Sequence, residues 1–169
     1  MRTNNLFRLT FLLGLTLSFL SSCLTQKEKQ QHLVLVDSLL KADHFKFVAQ
    51  QANPLRANIV SPRLQQLNGS YYMLVSKDTV KAYLPYFGVA QQAPYSSSEN
   101  GIQFTSTDFS YVKNQTKNGY EISIKPKNYD RANSLFFSIS PSGSATLNVS
   151  SNHRDPISFT GTIEQWGKD

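Results

Sequence analysis

The sequence holds a single cysteine, Cys23, in 169 residues. No disulfide can form within one chain, and no cysteine cluster can hold a metal. It has three histidines, His32, His44 and His153, none at a metal-binding spacing such as H-x-x-x-H. Asp43-His44 and His153-Arg154-Asp155 are sequence neighbours, but neighbours on a strand point to opposite faces. No metal site is expected. The eleven acidic residues are scattered, with no pair placed recognisably for glycoside hydrolysis. A glycine-rich phosphate loop, a G-x-S-x-G elbow and an S-x-x-K pair in a hydrolase context are all missing. The expectation is a protein without catalytic residues or cofactor. Lysines are dispersed and there is no arginine-rich stripe, so nucleic acid is not an expected partner.

The N-terminus does carry a signal. Arg2 and Arg8 flank the start of an apolar run, Leu9 to Leu20, broken only by Thr10, Gly14, Thr16 and Ser18. A membrane-spanning helix needs about 20 apolar residues, so the run fits a secretory signal better. It ends in Leu20-Ser21-Ser22-Cys23, which resembles the lipobox of bacterial lipoproteins: an aliphatic residue, two small ones that suit a narrow peptidase cleft, and a cysteine whose thiol takes lipid. The expected organisation is a signal peptide over 1–22, a lipidated polar tether over 23–31 and a single β-rich domain with an N-terminal helix over 32–169. Each buried lipid methylene contributes about 0.8 kcal/mol, so two or three acyl chains on Cys23 anchor the protein to a membrane. Loss of Arg2 and Arg8 with the signal lowers the formal charge of +6 by two. Leu24 follows the cysteine, where inner-membrane lipoproteins often carry aspartate. The expected location is the cell envelope, at the outer membrane facing the periplasm.

Beyond the tether, Leu33, Val36 and Leu40 share one helical face, which predicts a short amphipathic helix over about 27–42. From Phe45 the period changes to two. Phe45/Phe47/Ala49, Tyr71/Met73/Val75, Phe109/Tyr111, Tyr120/Ile122/Ile124, Leu135/Phe137/Ile139, Ala145/Leu147/Val149 and Ile157/Phe159/Ile163 each alternate with more polar neighbours. Such strands place one face on a core and one in water. Asn118-Gly119, Pro141-Ser142-Gly143 and Lys77-Asp78 read as hairpin turns, and Asn68-Gly69 and Asn100-Gly101 as strand starts. The expected fold is mainly β: an antiparallel meander forming a small barrel or a sandwich, preceded by one short amphipathic N-terminal helix. Alternation alone leaves barrel and sandwich open.

Two stretches stand out. In YLPYFG, Tyr83 to Gly88, Pro85 has no N–H for a ladder and Gly88 takes backbone angles closed to other residues. The stretch is a sheet corner filled by its aromatics, or else an aromatic wall. In the second case Tyr83, Tyr86, Phe87 and Tyr95, the last on the polar loop 91–100, form a ligand or partner surface. Asp37-Ser38-Leu39 and Asp78-Thr79-Val80 look like a short O-glycosylation motif, with Thr79 at a hairpin tip the more accessible acceptor and Ser38 inside the helix the less.

Taken together, F-x-F-x-A at Phe45–Ala49, YLPYFG-x-A at Tyr83–Ala90, G-I-x-F at Gly101–Phe104, G-x-A-x-L-x-V-x-S at Gly143–Ser151 and R-x-x-I-S-F-x-G at Arg154–Gly161 resemble a family of small lipoproteins from Bacteroidota-type bacteria, a domain of unknown function. The resemblance implies an envelope lipoprotein with an antiparallel β fold and brings no catalytic residues. The first functional expectation is a non-catalytic binding protein for a small apolar or amphipathic ligand, held in an aromatic-lined lumen. The alternative is an accessory or scaffold lipoprotein that docks on another envelope protein through a strand edge or an aromatic patch.

Overall fold

The alternation of the sequence becomes a nine-stranded antiparallel sheet in a computed structural model. The structure describes residues 26–54, 65–87, 101–127, 129, 132–152 and 154–167. The signal peptide, Cys23 and Tyr95 lie outside them. The chain divides into two compact units, Met1–Leu35 and Val36–Asp169. The described part of the first, residues 26–35, is helical and carries exposed Val34 and Leu35.

Helix α1 spans residues 26–42. It stops at Asp43, whose φ of 53° is left-handed. The N–H of His44 donates to the Leu39 carbonyl (3.1 Å) and that of Asp43 to Leu40 (3.3 Å), so a Schellman-type cap satisfies the last carbonyls. Asp is among the few residues that tolerate this conformation. The Asp43 carboxylate also accepts from the Tyr111 hydroxyl (2.8 Å) and from the Lys113 ammonium, which donates further to the Leu40 carbonyl (2.7 Å). Six residues earlier, Asp37 accepts from Tyr120 (2.8 Å) and pairs with Lys41 (2.7 Å).

The strands are β1 (Phe45–Pro54), β2 (Tyr72–Val75), β3 (Val80–Leu84), β4 (Ile102–Ser106), β5 (Phe109–Thr116), β6 (Gly119–Pro126), β7 (Ser134–Ile139), β8 (Ser144–Ser150) and β9 (Ile157–Glu164). Their spatial order is β4-β3-β2-β1-β9-β8-β7-β6-β5. This is chain order read around a ring, with β9 returning to β1 and the ladder interrupted between β4 and β5. A sheet whose first and last strands pair is a nearly closed barrel, which decides between the two all-β alternatives. At the open seam the N–H of Gln103 donates to the Tyr129 hydroxyl (3.3 Å), and the Phe104 and Tyr129 rings lie 4.5 Å apart.

The expected turns set the register. Thr116 faces Gly119 across Lys117-Asn118, with Gly119 at a φ of 126°, Val75 faces Val80 across Lys77-Asp78, and Ile139 faces Ala145 across Pro141-Ser142-Gly143. Inward positions are apolar as the alternation required. Phe45, Phe47, Met73, Ile122, Phe137 and Phe159 are fully buried, and Val36, Leu39 and Leu40 of α1 join the same cluster. Phe137 meets Phe45 and Phe47 edge to face, at 5.9 and 5.4 Å. Each such side chain contributes about 1.5–3 kcal/mol through burial.

One irregularity matters later. β1 and β9 pair Ala49 with Gly161 and then Gln51 with Thr160, so Gln50 is an inserted residue, a β-bulge. Opposite it, a Cβ on Gly161 would lie 2.0 Å from the Val48 carbonyl oxygen. Only glycine admits so close a backbone.

Candidate functional site

The hairpin β2–β3 places Tyr72 opposite Tyr83. Both point outward, since Met73, Ala82 and Leu84 take the inward positions. The Tyr83 ring stacks on Tyr71 (5.5 Å, 18° between planes) and leans on Tyr72 (5.9 Å, 37°). Tyr83 is 39% exposed, high for an aromatic side chain. The next outward row is Lys46, Leu74 and Lys81, facing one another across β1, β2 and β3. The Lys46 ammonium lies 5.4 Å from the centre of the Tyr72 ring, a cation–π contact. Neither Lys46 nor Lys81 forms an ion pair among the described residues. The outer face of β1–β3 therefore carries the rings of Tyr72 and Tyr83 and a leucine between two cations, while Tyr71, stacked on Tyr83, packs partly buried against the core.

Residues 27–163 match the model of a family described as a domain of unknown function, DUF4251. The chain belongs to the DUF4251 family. It is similar in structure to a crystallised DUF4251 family protein from Bacteroides eggerthii DSM 20697, with a TM-score of 0.55 and 16% identity over 83% of this chain and 91% of that one. At that identity the likeness is one of fold. No curated protein matches the chain.

The YLPYFG stretch of this DUF4251 chain divides in two. Tyr83 belongs to the exposed face. After Leu84 the strand ends, and Pro85 leaves the ladder. Tyr86 and Phe87 pack partly buried against the core. The Tyr86 hydroxyl donates to the Asp155 carbonyl (3.1 Å), and the Arg154 guanidinium sits 4.8 Å over its ring. Arg154 is itself buried and reaches the Gly101 carbonyl (3.4 Å). Burial first, and the nearby Asp155 charge second, raise the Tyr86 hydroxyl above its ordinary pKa. Gly88, like Tyr95, lies outside the described residues. Tyr83 is brought together with Tyr71 and Tyr72, but Tyr86 and Phe87 serve the corner.

Sequence reasoning misses Tyr72 and Lys46, while Tyr71, expected on the core side, does pack partly buried against the core and also stacks on Tyr83. A signal did exist. Folding the chain about Lys77-Asp78 brings Tyr72 opposite Tyr83. Thr79 sits half-buried at that tip, with its N–H donated to Ser76 Oγ (3.0 Å). The Ser76 hydroxyl, followed by the Asp78 backbone and Thr79, holds the Asp78 carboxyl below its ordinary value. Ser38 is exposed on α1. Ser38 is thus the more exposed of the two, and it lies within the helix as expected. Among the described residues no three His, Cys, Asp or Glu side chains gather in a metal-binding group.

Proposed function

We propose that this protein is a non-catalytic binding protein of the bacterial cell envelope, lipid-anchored through Cys23 at the outer membrane, that docks on another envelope protein through the outer face of β1–β3. The observation behind this is exposed Tyr83, stacked on half-buried Tyr71 and leaning on half-buried Tyr72, with Lys46 and Lys81 in the adjoining row. Tyrosine offers apolar area and a hydroxyl at little conformational cost, which suits a contact surface. The two cations favour a partner whose apolar patch has acidic neighbours. The first expectation, a small apolar or amphipathic ligand in a lumen, needs unfilled inward positions. The buried phenylalanines and the α1 side chains that share their cluster favour the surface instead.

Photo-crosslinking in the source bacterium tests this, with the crosslinker at position 83 and, as control, at position 148 on the opposite part of the sheet. A discrete protein adduct specific to position 83 is expected, and it should weaken when Tyr72 becomes alanine. Equal labelling from 83 and 148 would sink the proposal. So would native mass spectrometry showing a bound species of a few hundred daltons that survives Tyr83→Ala, which would restore the lumenal carrier.

A further inference from the structure

A different chemistry covers β7, β8 and β9. Their outward positions are serine, threonine or asparagine at nearly every step, with Phe136 the one large apolar residue and Glu164 the one charge. Across this face runs an open furrow of about 440 Å³. Ala145 and Gly161 form its floor, Ser138, Ser144, Thr146 and Thr160 stand along it, and Gln50 and Asn118 contribute amides. The β1–β9 bulge lies at this furrow, with Gln50 as the inserted residue and Gly161 held against the Val48 carbonyl. The inserted residue is the one that supplies its amide to the furrow.

Among the described residues no charged side chain lines the furrow. Among the described residues, the side chains of Gln50, Asn118, Ser138, Ser144, Thr146 and Thr160 make no hydrogen bond with the protein. An ionic ligand would lose its hydration there without gaining a counter-charge. An apolar ligand would strand these hydroxyls and amides, at about 1–3 kcal/mol for each one fully desolvated. A ligand with interleaved donors and acceptors and no charge replaces water bond for bond. Thr146 lies across from Thr160 on one side and Ser138 on the other. Neighbouring strands repeat at about 4.8 Å and alternate residues at about 7 Å, a grid with the dimensions of a sugar ring. Phe136, 39% exposed, stands one outward row beyond the furrow, opposite Asn148.

We infer that this furrow binds a neutral saccharide. The site lies on other strands than the tyrosine face, and the inference does not rest on the docking role.

The test is an amide-resolved NMR titration of the mature lipidated chain in detergent micelles, using chitotetraose and cellotetraose as neutral probes and polygalacturonate as the charged one. At least one neutral probe is expected to move the amides of Ser138, Thr146, Thr160 and Gly161. Thr146→Val and Thr160→Val keep a β-branched side chain of the same shape and remove only the hydroxyl. Each should weaken binding about tenfold while leaving the melting temperature unchanged. The inference fails if neither neutral probe shifts these amides at about 20 mM, if polygalacturonate shifts them equally, or if the valine variants bind as well as the parent. Should a valine variant not fold, the shift map of the unaltered chain decides by itself.

Discussion

Gly161→Ala tests the register of the ladder that closes the barrel. The added Cβ would stand 2.0 Å from the Val48 oxygen, 2.9 Å from the Val48 carbonyl carbon and 2.9 Å from a Phe47 ring carbon. Two of the three obstacles are backbone, so rotating a side chain gives no relief. β1 and β9 must separate by about an ångström at the bulge, against a buried phenylalanine. Overpacking of a core costs about 1–3 kcal/mol, and a backbone obstacle puts this case at or above 3. At about 4 °C per kcal/mol for a domain of this size, the melting temperature should fall by about 12 °C. Two other glycines separate the causes. Gly69 has φ of 79° but nothing within 4 Å of an added Cβ, so Gly69→Ala carries backbone strain alone, about 1 kcal/mol. Gly167 has open space and no left-handed φ, and Gly167→Ala should be neutral within about 0.5 kcal/mol. Thermal and urea unfolding of the three variants measures all of this. A Gly161→Ala protein as stable as Gly167→Ala would refute the bulged β1–β9 register.

Other expectations concern the helix cap, the tyrosines and the anchor. Lys113→Met removes the cation from Asp43; both side chains are 22% exposed, so the cost read from urea unfolding should be about 1–2 kcal/mol, below the 3–5 of a fully buried pair. Tyr86→Phe deletes one hydrogen bond and keeps the ring under Arg154, for a loss of about 1 kcal/mol. Burial raises the hydroxyl pKa of Tyr111, Tyr120 and Tyr86 above the ordinary 10.0, and for Tyr111 and Tyr120 an acceptor carboxylate adds to it. Above pH 10 the unfolded chain releases protons that the folded one keeps. Their stabilisation is whole below pH 10 and declines as pH rises beyond it, and Tyr111→Phe should make the decline shallower in unfolding measured from pH 9 to 12. Cys23→Ser should move the protein from the membrane fraction to the soluble one, and a chain that stays with the membrane would refute the lipid anchor.

Much of the fold was legible because its causes are local. Tyr120, Ile122 and Ile124 alternate with polar residues because water wets one side of β6, and Asn118-Gly119 turns because its backbone permits it. α1 ends at residue 42, where the prediction put it, and Asp43 takes the left-handed conformation that stops it. Closure was not legible. The partner of β1 lies at the other end of the domain, and a strand in a sandwich alternates in the same way as one in a barrel. The bulge at Gln50 leaves no mark in composition, since its cause is the approach of β9. At the candidate site Tyr83 was readable from its tyrosine-rich setting, whereas the contribution of Lys46 depends on a register set by two further strands. The furrow was invisible to motif reading, because serines and threonines on a wetted strand face are ordinary until the register lines them up.

The order of the strands also says how the chain finds its structure. Seven of the eight ladders join strands consecutive in the sequence, so most of the sheet assembles from hairpins whose ends need not travel far. The exception is β1–β9, in which Lys46 meets Glu164. Bringing those strands together costs the loop entropy of nearly the whole domain, and non-local pairing of this kind governs folding speed. The two meanders, β1 to β4 and β5 to β9, are therefore positioned to form early, with the β1–β9 ladder joining them. The glycine at the bulge then lies on the slow step, where a substitution changes the rate of folding as well as its outcome.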